Sequence, residues 1–200
     1  MKKNIRLLAY TAIVVGIILC CFIAVHAEES TQTAFDFRNA GWGMEKVVVK
    51  ATEFGEPIED RDDLLVYSDV VGGDMDVLVA YNFSDGRLVS GKYLFLTKHP
   101  DKNDYIADYK RVKETLTLKY GSPKSDEELW HNHLYKDDTE KWGLAVSLGH
   151  LAYRSKWETK TTEVILALHE KNKEIIFGVV YSSTKAGTPK ELRKEEGTTH

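Results

Sequence analysis

Trp130, His131, Asn132 and His133 form the stretch with the most chemical potential in the chain. Alternate side chains of an extended strand share a face, so a strand here points His131 and His133 the same way, and two neutral imidazoles can ligate a divalent metal. A third ligand would have to come from Asp137, Asp138, His150 or His169, and no known spacing ties any of these to the pair. Two half-exposed strand histidines beside a core tryptophan is the plainer reading, so no metal site and no cofactor is assigned.

Carboxylates cluster at Asp60, Asp62, Asp63 and again at Asp69, Asp74, Asp76, but neither group has the glycine and closing glutamate of a calcium-binding EF-hand loop. Solvated loop charge accounts for them. Ser147, Ser155 and Ser182 are the available hydroxyl nucleophiles. None lies in a Gly-x-Ser-x-Gly elbow, and no Ser, His, Asp order can be assigned, so the chain is not read as an enzyme. Asn82, Phe83, Ser84 is formally a glycosylation sequon and falls at a strand end.

The aromatic residues offer more. Trp42, Tyr67, Tyr93, Trp130, Trp142 and Trp157 exceed in tryptophan what one small core needs, and rigid aromatics make good interface anchors. Most are expected to pack between helix and sheet. Trp42, Tyr93 and Trp157 are the candidates for partner contact, with Trp42 foremost because it stands between Gly41 and Gly43 at the entry to a helix.

Met44, Val47, Val48, Ala51 and Phe54 recur at helical spacing, with Gly55 as a C-terminal cap and Pro57 beyond it. Strands are predicted over 64–70, 76–83 and 88–97, the last two joined by a hairpin at Asp85 and Gly86. A second helix spans 104–120, with Tyr105, Ile106, Tyr109, Val112, Leu116 and Tyr120 on one face, Asp101 or Asn103 at its start and Gly121 and Pro123 at its end. Strand signals follow at 129–135, 141–148, 162–169 and 174–182, and residues 151–161 read as a turn and strand approach. The fold class is therefore α+β, and the two helix-Gly-x-Pro endings, 66 residues apart, suggest two tandem helix-plus-antiparallel-sheet units forming one body, about 41–97 and 103–182 within a domain of 28–182. Residues 183–200 carry almost no apolar side chain and read as a disordered tail.

The start of the chain has a different purpose. Lys2, Lys3 and Arg6 precede an uncharged run from Leu7 to Val25, and Val25, His26, Ala27 supply a cleavage site before Glu28 and Glu29. That is the layout of a signal peptide over 1–27, which places the rest outside the cytoplasm, periplasmic or extracellular. An uncleaved anchor is the rival, since residues 7–25 as a helix at about 1.5 Å each approach the ~30 Å hydrocarbon thickness. Membrane contact is expected only through this segment. Cys20 and Cys21, the chain's two cysteines, fall inside it, behind Leu19 where a lipoprotein peptidase wants a small residue. A chain cut after Ala27 has no thiol and so no disulfide framework or thiol catalysis. It keeps 24 basic residues against 31 acidic ones, about −7 net, and no concentrated basic face, which argues against nucleic acid as a partner.

Gly43, Met44, Val48, Gly55 and Pro57, followed by antiparallel strands, resemble the small outer-membrane lipoproteins that help assemble barrel proteins. The tandem arrangement is similar to that of the secreted beta-lactamase inhibitor proteins. Glu45 departs from the Ser or Thr usual after that methionine, and the lipid-bearing cysteine has no match. The resemblance implies a noncatalytic module of the bacterial cell envelope that binds a protein partner through the concave face of its sheet. The alternative is a metal- or small-ligand-binding periplasmic protein or hydrolase using His131 and His133; a third reading is an envelope structural protein held by an uncleaved helix.

Overall fold

A computed structural model describes residues 35–185. The signal or anchor segment, both cysteines and residues 186–200 of the expected tail lie outside that range. The elements in chain order are α1 (Lys46–Thr52), β1 (Glu59–Arg61), β2 (Leu64–Val71), β3 (Met75–Ser84), β4 (Arg87–Phe95), α2 (Asn103–Tyr120), β5 (Ser125–Trp130), a 3-10 turn at Thr139–Lys141, α3 (Trp142–Ser147), β6 (Leu151–Glu158), β7 (Thr162–Lys171) and β8 (Glu174–Ser183). All eight strands join one sheet in the order β1-β2-β3-β4-β8-β7-β6-β5, every neighbouring pair antiparallel. The protein is thus a mixed α+β body on a single antiparallel sheet.

Alternation of buried and exposed residues shapes β3 and β7. In β3 the buried Met75, Val77, Val79, Tyr81 and Phe83 alternate with more exposed residues, and in β7 Val164, Leu166 and Leu168 do the same. The hairpin turns take positive φ at Asp85 and Gly86 and at Asn172 and Lys173, the geometry that matches strand twist. The two meanders meet where β4 pairs with β8, Lys92 against Val180 and Leu94 against Gly178. A Cβ on Gly178 would lie 2.8 Å from the Tyr93 carbonyl oxygen, so the junction needs glycine there. At the outer edges β1 is three residues long and β5 reads Ser125, Asp126, Glu127, Glu128, short and charged edges that discourage further pairing.

The three helices of the described residues lie on one face. Val49, Ile106, Tyr109, Leu116, Ala145 and Val146 share a single core with Val79, Tyr81, Trp157, Leu166, Phe177 and Val179; each large apolar side chain so buried contributes about 1.5–3 kcal/mol. α2 runs as the spacing predicts, with the Asn103 N–H bonded to the Asp101 carboxylate at 2.9 Å and Gly121 at φ +80° as its cap.

Several expectations need correction. α1 has only 7 residues, buries Val49, and leaves Val47, Val48 and, just beyond its end, Phe54 exposed, because a helix of two turns buries one narrow stripe. The strand expected over 141–148 is the 3-10 turn and α3 instead: Gly143, Ala145 and Val146 are buried at helical spacing, and the Asn103 side-chain oxygen accepts the Gly143 N–H at 2.8 Å. β5 begins at Ser125 and stops at Trp130 rather than running 129–135. Residues 151–158 form a full strand. β8 includes Ser183, and the Thr184 N–H bonds the Thr161 carbonyl at 3.0 Å, so ordered structure extends past residue 182.

Candidate functional site

The helices of the described residues occupy one face of the sheet, and among the described residues no helix lies on the opposite face. Its composition follows from register. One row across it runs Val66, Ala80, Lys92, Val180, Ile165, Lys156, and the next runs Ser68, Leu78, Leu94, Gly178, Ala167, Arg154. The centre is therefore apolar and low: Ala80, Gly178 and Ala167 have little or no side chain, and Leu78, Leu94, Val180 and Ile165 rise around them, all half-buried by their neighbours except the fully buried Gly178. A third row, Asn82, Ser90, Ser182, Glu163, is polar, with the Asn82 amide donating to the Ser90 hydroxyl at 3.1 Å. Lys156 bonds Glu163 across the strands. Lys92, on the interior strand β4, has no carboxylate beside it among the described residues: its neighbours in register are Ala80 and Val180.

The aromatics predicted to meet a partner lie on the other, helix-bearing side. Trp157 is 1% exposed, its indole N–H donating to the Gly121 carbonyl at 3.0 Å, so it is a core residue and no surface anchor. Tyr93 packs edge-on against Phe37 at 5.2 Å beneath the Arg38 guanidinium. Trp42 is half-buried and donates its indole N–H to the Thr162 hydroxyl at 2.9 Å, while its backbone N–H bonds Asp36 at 3.0 Å. These three do not gather into one patch. Sequence spacing missed this because the segment before α1 folds as a strap over the core, with Phe37 and Ala40 fully buried.

Under that strap sits a charged cluster. Arg38, held at φ +52°, forks onto Glu53 at 2.8 and 2.9 Å and reaches Asp69 at 2.7 Å; the Tyr81 hydroxyl closes the set by donating to Glu53. Burial works against the Arg38 charge, but Glu53 and Asp69 outweigh it and raise its pKa. Burial first, then the bond to Glu53, pushes the Tyr81 hydroxyl up as well, so it stays a donor. This cluster ties the strap to the end of α1, to β2 and to β3.

Between α2 and the β5–β6 edge, a cavity of about 240 Å³ is lined by Tyr109, Lys110, Lys113, Asp126, Glu127, Glu128 and Tyr153. Ser155 beside it donates to Asp126 at 2.6 Å and so must accept from the Tyr109 hydroxyl at 2.6 Å, and Lys113 bonds the other Asp126 oxygen at 2.9 Å. The Tyr153 hydroxyl is buried with no hydrogen-bond partner.

His131 and His133 do not share a strand face. The chain leaves β5 at Trp130, the His131 and Asn132 N–H groups both reach the His150 carbonyl at 2.8 and 3.2 Å, and the segment turns, leaving both imidazoles exposed. Among the described residues no group of three or more His, Cys, Asp and Glu is placed to hold a metal ion. The acidic clusters are partly spent on ion pairs: Asp60 with Lys46 and Lys50, Asp69 with Arg38, Asp74 with Arg111. Ser147 bonds the Leu144 carbonyl, and neither it nor Ser155 bonds a histidine. Among the described residues no helix is long and apolar enough to cross a membrane. No protein-family model, curated protein or solved structure matches this chain.

Proposed function

We propose that the protein is an exported, noncatalytic module of the bacterial cell envelope that binds a protein partner on the helix-free face of its sheet. The observation carrying this reading is the apolar centre of that face, Leu78, Leu94, Val180 and Ile165 around Ala80 and Gly178, which no element of the described body covers. Apolar patches of this kind, bordered by partly exposed charged residues such as Glu163 and Lys156, characterise interaction surfaces. Export rests on the basic and apolar residues 2–25 and the small-residue site at Ala27. The tandem-unit reading draws on the strand order, in which two four-stranded meanders each follow a helix and run inward from opposite edges to meet at β4 and β8.

Envelope extract passed over the immobilised full chain tests this, with Val180→Asp as one comparison bait and Phe54→Ser, on the helix side, as another. The reading requires a protein retained by the native bait and by Phe54→Ser but released by Val180→Asp. Equal retention by all three, or retention lost only with Phe54→Ser, moves the surface elsewhere.

A further inference from the structure

We infer that Lys92 is the anchor point for a carboxylate of the docked partner, so that the partner presents an Asp or Glu within an apolar patch. This rests on the docking reading above and narrows it. Lysine on an edge strand commonly wards off unwanted pairing, but β4 is interior, flanked by β3 and β8, so that explanation does not apply. Within its own face the positions surrounding Lys92 are all uncharged: Ala80 and Val180 in register, Ser90 and Leu94 along the strand, with Leu78 and Gly178 diagonal to it. The nearest carboxylate in the rows of the face, Glu163, lies beyond β8 and bonds Lys156.

A lysine stem can lie along apolar surface while its ammonium stays in water, and in the free protein Lys92 does so, half-buried. A partner that covers the patch takes that water away. An ammonium sealed among Ala80, Val180 and Leu94 without a counter-ion would oppose docking, whereas a carboxylate brought to it forms a charge-assisted bond. The same lysine therefore keeps the free face soluble and rejects partners whose patch is wholly apolar or cationic, which is selection by an unpaired charge.

The test places a photoreactive amino acid at Leu94 or Val180, and separately at Val48 on the exposed side of α1, in the full chain expressed in its own cells, and the crosslinked peptides are sequenced. The inference expects Leu94 and Val180 to crosslink one segment of another protein that bears an Asp or Glu. Lys92→Glu and Lys92→Met should each cut that yield at least about tenfold, and changing the partner's acid to Lys should restore it with Lys92→Glu alone. Protease resistance equal to the native chain's shows that both variants fold. Crosslinks that survive Lys92→Glu, or that no reversal of a partner acid restores, overturn the carboxylate inference and leave docking on this face standing. Crosslinks from Val48 only, crosslinks solely between two copies of this chain, or none from the face overturn the docking reading and this inference with it.

Discussion

Asp36 and Thr162 are 126 residues apart in the chain and share a hydrogen bond of 3.0 Å. The same carboxylate accepts the Thr161 hydroxyl at 2.7 Å and the Trp42 N–H at 3.0 Å, and Trp42 in turn donates to Thr162. One side chain of the strap thus fastens the beginning of the folded body to the beginning of β7, while Arg38, two residues on, fastens it to α1 and β2. The strap spans both meanders.

Removing Asp36 should therefore loosen the whole body. Asp36→Ala leaves two hydroxyls and one backbone N–H without their acceptor, and a loss of about 1–3 kcal/mol is expected. In urea denaturation the midpoint should fall with an unchanged slope. A native midpoint would mean that water replaces the carboxylate at no cost.

Glu53 is the sharper case because its side chain is 5% exposed. Arg38→Met strands that carboxylate among Tyr81 and Asp69, and breaking a buried pair from one side costs about 3–5 kcal/mol. Arg38→Met combined with Glu53→Gln removes the stranded charge and should recover part of the loss. If the double variant is as unstable as the sum of the singles, the pair does not act as a unit.

Acid should weaken the protein through Asp69 and Asp126. Burial alone would raise both, but Arg38 and the Val70 N–H at Asp69, and Lys113 and Ser155 at Asp126, hold them below the ordinary value of 3.8. A folded-state pKa below the unfolded one gives stability that is complete above the unfolded value and drains as pH falls past it toward the folded one. Unfolding free energy should thus decline as pH drops below about 4. Asp126→Asn should start less stable at pH 7 and lose less between pH 5 and 2.5. A variant whose acid limb parallels the native one removes Asp126 from the account.

Much of this frame was legible from residue order, and the failures have physical causes. Alternation marked β3 and β7, and Asp85-Gly86 marked a hairpin, because those signals are local and the sheet only amplifies them. Residues 141–148 misled because Trp142, Leu144 and Val146 alternate like a strand while Trp142, Ala145 and Val146 also fit a helix turn. The Asn103 contact to Gly143, 40 residues away, favours the helix and is invisible locally. Trp42 and Trp157 looked alike as aromatics, yet Trp157 stands on the core side of β6 and Trp42 on a strap, its indole bonded to Thr162, 120 residues away. The helix-free face was the least legible part, since half-buried Ala, Val, Leu and Gly read the same on either face until register is known.

Tyr153 gives the last test, and it also reports on the cavity beside α2. Nothing in the sequence marks its hydroxyl, yet it is buried at a residue 4% exposed and has no hydrogen-bond partner among the described residues. Burial foremost, and then the charge of Glu128, raises its pKa, so the proton stays on and the group remains an unspent donor. Deleting an unsatisfied hydroxyl removes a desolvation cost of about 1–3 kcal/mol and little else. Tyr153→Phe should leave the midpoint of urea unfolding unchanged or raise it, whereas Tyr109→Phe, which breaks the bond to Ser155, should lower it through a loss of about 1 kcal/mol in unfolding free energy. If Tyr153→Phe instead costs as much as Tyr109→Phe, the hydroxyl has a partner in solution, a bound water or a ligand held in the cavity, and the two separate on dialysis, because only a ligand's contribution disappears from the native protein.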